Sequence, residues 1–328
     1  MFNHVTLLLD MGGCLKKCPM CHHLLSSKSN MLLDDLHLIY ELFTSFSKSI
    51  TISSWYKDVD ILSNYKELYS VEQKISDNIY ENRFNKINYY RLINDKKYLS
   101  FIINLNLKEV SIDIYGNHHT HNRYVGINKD FENIIESIKL LTEQNVKVKL
   151  NYIVSKLNIN ELKKTYDLFK NYNVEFTISQ NIPTNLAFKK IYNRLTKQDL
   201  PKINFTNHNL GKTESDLYNE LIKDQSFLKI NSLDPTFIID GKKNIYHKIN
   251  NLDSLYYLGN IKTESIKQIV ENYLSMNTRL LNIINKYSIK DICLLAGNKD
   301  GSWIFTKEEY IIYLLELLLN DPKFQNTI

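Results

Sequence analysis

Glycine is scarce in this chain, at 9 of 328 residues. There is no P-loop, no glycine fingerprint for a dinucleotide and no nucleophile elbow. A loop that cradles phosphate on backbone N–H groups is therefore not expected. Long apolar runs are missing too. None approaches the roughly 18 residues of a membrane helix. The first ten residues hold one short apolar run, Val5 to Leu9, closed by Asp10, too short for a signal peptide and without a cleavage site. Neither charge sign dominates: the net charge of +5 is dispersed, which is no nucleic-acid footprint. Four cysteines, three of them close together, do not make a disulfide framework. The expectation is a cytoplasmic protein with no membrane and no nucleic acid among its partners.

What the chain does have is enough apolar surface for a core, at 43% hydrophobic and 23% charged residues. Its length suits one large domain, or a large one with a small one.

Three of the four cysteines stand as Cys14-x3-Cys18-x2-Cys21. A structural tetrahedral metal site takes four protein ligands, and a closed four-iron cluster takes four cysteines. Three thiolates on one short loop leave one iron without a protein ligand, open to a substrate or cofactor. Two other readings compete. Zinc would need His22 or His23 as a fourth ligand, but zinc motifs more often come as two separated pairs, and no second pair follows. Three thiols holding nothing, flanked by Lys16 and Lys17, would be an oxidation liability.

The pattern resembles the signature of the radical SAM superfamily. The resemblance implies a 4Fe-4S cluster on Cys14, Cys18 and Cys21. Its fourth iron would chelate S-adenosylmethionine (AdoMet), whose reductive cleavage gives methionine and a 5'-deoxyadenosyl radical that takes a hydrogen atom from the substrate. The family prefers an aromatic residue just before the third cysteine; this chain has Met20.

The chain order fits that resemblance. Val5–Leu9 reads as a buried strand with the cysteine loop directly after it, where active groups of an α/β barrel sit. Residues 31–46 read as a helix that Ser29 or Asn30 would cap. Residues 49–54 read as a second strand. A Gly-Gly-Glu-Pro turn often follows here in the family and receives the cofactor's amine; Ser53, Ser54 and Asp58 stand in its place. Helices are expected over 60–70 and 95–105. Lys108–Tyr115 alternates as a strand. A polar turn, His118 to Gly126, then leads to a helix over 129–144. The resemblance makes Ser111 and Asp113 cofactor contacts. Val146–Val154 is the next strand, with Asn151 and Ser155 as candidates near the cofactor, although polar groups at strand ends are often satisfied by backbone. A helix over 160–172 and a strand over 174–180 follow, then Asn181-Ile182-Pro183-Thr184, similar to a family turn. Alternating strands and helices imply parallel βαβ units, and the resemblance implies a partial (β/α)6 TIM-like barrel over residues 1–205.

Residues 206–328 resemble the smaller α+β extension called SPASM or twitch. Asp240-Gly241 is a hairpin turn on physical grounds, and Leu258-Gly259-Asn260-Ile261 matches a second turn of that extension. Its cluster-binding cysteines are missing: His247 stands near one expected position and Cys293 is the one later cysteine. The extension is read as free of an auxiliary cluster, and residues 307–319 as an apolar packing helix. Cys293 has two readings, a hydrogen-atom donor to the substrate radical or a small buried apolar residue.

The function expected is a radical SAM enzyme acting on a ribosomal peptide. No peptide-recognition domain precedes the first strand, which favours the alternative, a small molecule such as a sugar or nucleoside. An electron donor such as flavodoxin or ferredoxin is the implied protein partner. A zinc-stabilised binding module without catalysis is the reading of another class.

Overall fold

The structure is a computed structural model. It describes residues 1–11, 14–21, 31–54, 62–77, 87–183, 185–203, 205, 210–228, 233–248, 257–276 and 278–325.

The apolar run after the N-terminus forms β1 (Val5–Leu9), and helix α1 (Leu33–Thr44) returns the chain to β2 (Ile50–Ser53). The two strands pair in parallel, with Leu7 opposite Ile52 and Leu8 opposite Ser53. Helix α1 begins two residues inside the expected span. Its N-cap is Leu32, whose N–H donates to the Asp35 carboxylate at 2.7 Å, so that carboxylate takes the capping role given to Ser29 or Asn30, which lie outside the described residues. Helix α2 runs over Tyr65–Ile75 rather than 60–70.

Two short helices follow, α3 (Tyr89–Asn94) and α4 (Lys96–Asn104). Next come β3 (Glu109–Ile114), α5 (His118–Val125), α6 (Asp130–Glu143) and β4 (Lys147–Ile153). Then come α7 (Leu162–Phe169), β5 (Val174–Ser179) and α8 (Asn185–Lys189). Strands β3, β4 and β5 form a second parallel sheet. Their period of two sorts the side chains. Val110, Ile112, Ile114, Val148 and Leu150 are buried in one apolar cluster with Tyr98, Ile102, Phe131, Ile134 and Ile138 of the covering helices. Ser111, Asp113 and Asn151 point to the other face and are half-buried.

The polar stretch expected as a turn before α6 is helix α5. Asn117 accepts from the N–H groups of His119 and Thr120, both at 3.1 Å, which supplies the cap that starts a helix. Gly126, at φ +71, ends it in the left-handed conformation.

Beyond this point lie β6 (Lys212–Thr213), α9 (Glu214–Leu221), β7 (Thr236–Ile239), β8 (Asn244–Lys248), β9 (Tyr257–Asn260), α10 (Ile266–Leu274), α11 (Arg279–Lys286), α12 (Ile289–Ala296), β10 (Ile304–Phe305) and α13 (Lys307–Asn320). Strand β7 pairs in parallel with the free edge of β1, Leu7 opposite Phe237, and continues through β8 and β9 as an antiparallel meander. The Asp240-Gly241 hairpin is present. Asp240 builds it by accepting from the N–H groups of Lys242 at 2.8 Å and Asn244 at 2.9 Å. The second expected turn, Leu258 to Ile261, is instead mostly strand β9, with a register shift against β8. Six parallel strands are thus divided between two sheets, and no closed barrel is found among the described residues. Helices α9, α11, α12 and α13 form a third apolar cluster. Among the described residues no helix is long and apolar enough to cross a membrane.

His247 lies in the cluster beneath the five-stranded sheet, at 3% exposure, with its ring centroid 4.8 Å from that of Tyr273. Its Nδ1 has no hydrogen-bond partner, and burial holds its pKa down at about 4. A buried neutral histidine must be charged in acid. Its native pKa is below the unfolded value of about 6.5, so the stability it protects is complete above about pH 6.5 and is lost as pH falls toward 4. The gap corresponds to about 3 kcal/mol. His247→Phe is expected to remove that part of the acid sensitivity, seen in urea melts between pH 7 and pH 4.5; an unchanged pH dependence would contradict the assignment.

Candidate functional site

The cysteine loop leaves the C-terminal end of β1. Cys14 is exposed, Cys18 and Cys21 are half-buried, and none is in a disulfide. The Cys21 N–H donates to the Cys18 carbonyl at 3.3 Å, which bends the loop there. The Lys16 N–H approaches the Cys14 sulfur at 3.4 Å. Met20 is buried. Among the described residues no three His, Cys, Asp or Glu side chains converge as metal ligands, the three cysteines included. His22 and His23, the histidines of the zinc reading, lie outside the described residues.

The half-buried face of the second sheet carries a polar row at its C-terminal end. Asn151 donates to Asp113 at 3.1 Å and accepts from the hydroxyls of Ser179 at 2.9 Å and Thr177 at 3.3 Å. The strand register brings these residues together, since Asp113, Asn151 and Thr177 are direct neighbours across three strands. Ser111 sits two residues earlier on the same face. The row bonds to itself in this structure.

Past the row, the ring of Tyr115 stacks on that of Tyr124, centroids 4.1 Å apart and planes 16° apart. Both phenols are held above their ordinary pKa, by burial first; for Tyr115 the charge of Asp113 adds to this, then that of Cys18, and for Tyr124 that of Cys18. The Tyr124 hydroxyl also bonds the Met20 backbone, which places the pair beside the cysteine loop. Asn181 donates to the Tyr124 hydroxyl at 3.1 Å. A cleft of about 20 Å³, room for one water, opens between Met20, Ser155, Asn181 and Arg194.

Other expected contacts are placed less openly. The Ser155 N–H donates to Asn158 at 2.8 Å and its hydroxyl accepts from the Leu157 N–H at 3.3 Å, so Ser155 serves a local turn at the cleft wall. Ser54 donates both its N–H and its hydroxyl to the buried Glu72 of α2. Ser53, fully buried at the end of β2, has a hydroxyl without a partner. Asp58 lies outside the described residues. Glu72, Tyr115 and Tyr124 were not singled out from sequence, and Asn181 was read there only as part of a turn similar to one in the family. Tyr115 closes the alternating strand on its polar face, and that parity was the available signal.

Cys293 is elsewhere. It is fully buried in the third apolar cluster, within 3.8 Å of the Tyr218 carbonyl, and burial raises its pKa to about 11. These are the surroundings of a packing thiol. Cys293→Ala is expected to cost about 1 kcal/mol of stability, as for a small group lost from a core, and to leave product formation at the wild-type level. Intact 5'-deoxyadenosine formation with no product from this variant is the outcome the donor reading expects.

No family model matches the chain, and no curated protein sequence matches it. Its fold is similar to that of solved structures. Native anSMEcpe with bound AdoMet and the Kp18Cys peptide superposes with a TM-score of 0.51 at 13% identity, covering 98% of each chain. SuiB of Streptococcus suis bound to its precursor peptide SuiA gives a TM-score of 0.53 at 13% identity, over 83% of this chain and 65% of that one. At these identities the likeness is one of fold.

Proposed function

We propose that this protein is a radical SAM enzyme that modifies a peptide. The observation that carries this is the position of the three thiols: on one loop, at the C-terminal end of a parallel strand, in a fold like that of the AdoMet-bound anSMEcpe. The donor set suits the group. Thiolates are the ligands of iron–sulfur clusters, and Cys14, Cys18 and Cys21 would hold a 4Fe-4S cluster with one iron left for AdoMet. The bound cofactors would supply the hard chemistry, reductive cleavage of AdoMet to methionine and a 5'-deoxyadenosyl radical. The protein's own part is orientation. Asp113, Asn151 and Ser111 would offer the polar row to AdoMet, and Ser53 its hydroxyl at the end of β2; Ser54 is taken up by Glu72, and Asp58 stays a candidate from the sequence alone. Tyr115 and Tyr124 wall the loop with apolar rings that exclude water.

A peptide is favoured because both neighbouring folds were solved with peptides bound. A core over residues 1–205, with five parallel strands where a (β/α)6 partial barrel has six, a SPASM-like extension over 206–328 that adds β7 to the edge of β1 and is read as free of an auxiliary cluster, and reduction by flavodoxin or ferredoxin complete the reading. The test is anaerobic incubation of the reconstituted protein with AdoMet and a strong reductant. Formation of 5'-deoxyadenosine is expected, and its absence at full iron loading would end the proposal. A sugar or nucleoside that stimulates formation where candidate peptides do not would redirect the substrate class.

A further inference from the structure

Apart from Tyr124, the His118–Gly126 stretch has no part in the chemistry above, yet the cysteine loop lies against it. The last carbonyls of a helix lack partners within the helix, and the Val125 carbonyl of α5 takes one from outside: the Lys17 N–H donates to it at 2.8 Å. Gly126 lets the loop come this close. A Cβ there would sit 3.3 Å from the Cβ of Lys17, on a backbone already at φ +71.

Lys16 reaches the other way. Its Nζ is 3.6 Å from Oδ2 of Asp130, the first residue of α6, and 4.8 Å from the centroid of the Tyr89 ring. Asp130 is 4% exposed and also bonds His121 Nε2 at 2.9 Å. His121 is fully buried, and its Nδ1 accepts from the Tyr115 N–H at 3.1 Å. A ring nitrogen that accepts from a backbone N–H carries no proton, so Nε2 holds the proton and donates to Asp130. The imidazole is thus neutral, and the Asp130 charge is left to answer Lys16. The helix hairpin does not need Lys16 for its own shape. The Phe131 N–H donates to Asn122 at 2.8 Å, and Thr120 donates to Glu161 at 2.6 Å.

We propose that the α5–α6 hairpin is a latch that fixes the cysteine loop in place beyond the C-terminal end of β1, with Asp130 and His121 as positioning residues acting through Lys16. What the loop ligates rests on the function proposed above; the latch itself does not.

The test is hydrogen–deuterium exchange on cluster-free full-length protein. In Lys16→Met and in Asp130→Asn, the peptide spanning residues 14–21 is expected to exchange about tenfold faster, the scale of one lost charge-assisted bond. Peptides within α6 are expected to keep wild-type protection, and Lys16→Arg to retain protection of the loop. Unchanged exchange over 14–21 in both variants would overturn the latch. So would equal loosening of α6, which marks a folding defect, or a Lys16→Arg variant as fast as Lys16→Met. A second arm follows anaerobic iron uptake. Slower uptake in Lys16→Met, restored in Lys16→Arg, supports the positioning role, and equal uptake in all three proteins overturns it. A wild-type chain that takes up no iron refutes the proposed function instead, and the exchange arm still decides the latch.

Discussion

Replacing Cys14, Cys18 or Cys21 by Ala is expected to reduce 5'-deoxyadenosine formation to the background of the assay. The loss should be all-or-none. In the cluster proposed above, three thiolates would leave one iron open, and removal of any one would expose a second iron without a protein ligand. No other cysteine is available as a substitute, because Cys293 is fully buried in the helical cluster. Single variants are therefore expected to match the triple variant in both iron content and AdoMet cleavage. A triple Ala variant that still cleaves AdoMet would remove the loop from the chemistry altogether.

The second large effect concerns stability. Arg194 is fully enclosed between β10, α13 and the turn after β5. Its Nε donates to the Ile304 carbonyl and its Nη1 to the Asn181 carbonyl, each at 2.6 Å. Its Nη2 pairs with Glu309, and its plane lies 4.2 Å from the centroid of the Phe305 ring. Arg194→Met takes the donor from the Asn181 carbonyl and one of two from the Ile304 carbonyl, which the Gln180 amide also bonds at 3.0 Å, and leaves the largely enclosed Glu309 carboxylate without its cation. Breaking one side of a buried pair costs about 3–5 kcal/mol, a large part of a typical stability of about 5–15 kcal/mol. A large fall in the urea midpoint is expected. Burial already holds the Glu309 carboxyl above its usual pKa. A carboxyl with a raised native pKa loses stability as pH rises from its unfolded value through its native one. Without Arg194 that loss deepens, so the variant is expected to lie closer to wild type at pH 5 than at pH 7. Adding Glu309→Leu to Arg194→Met should recover part of the loss at pH 7; no recovery would place the damage in the carbonyls instead. Because Arg194 also fixes the Asn181 carbonyl, the same residue steadies the partner of Tyr124.

The sequence showed the elements whose signal is local. Residues Lys108–Tyr115 and Val146–Val154 alternate cleanly, which places Asp113 and Asn151 on one face, and parallel register then makes them partners. The cysteine loop was legible from spacing alone. Helix α5 was not, because His118–Val125 carries little apolar periodicity and owes its start to the cap at Asn117. The pairing of β7 with β1 joins residues some 230 apart in sequence, and strand patterns do not name their partners. Tyr124 and Lys16 owe their positions to the contact of α5 and α6 with the cysteine loop, which no local pattern encodes. His247, near an expected cluster position in the sequence, belongs to the core because the Phe237 and Tyr273 rings surround it.

The most direct test of the central claim is the metal content of anaerobically purified and reconstituted protein. With three cysteines in the loop and one buried elsewhere, the account predicts a brown protein with about four irons per chain, by the cysteine-ligand rule, and an electron paramagnetic resonance signal of the reduced cluster that changes when AdoMet is added. Iron near eight per chain, with signals that survive loss of the loop cysteines, would place a second cluster in the extension. A colourless protein with one zinc and no iron would contradict the account.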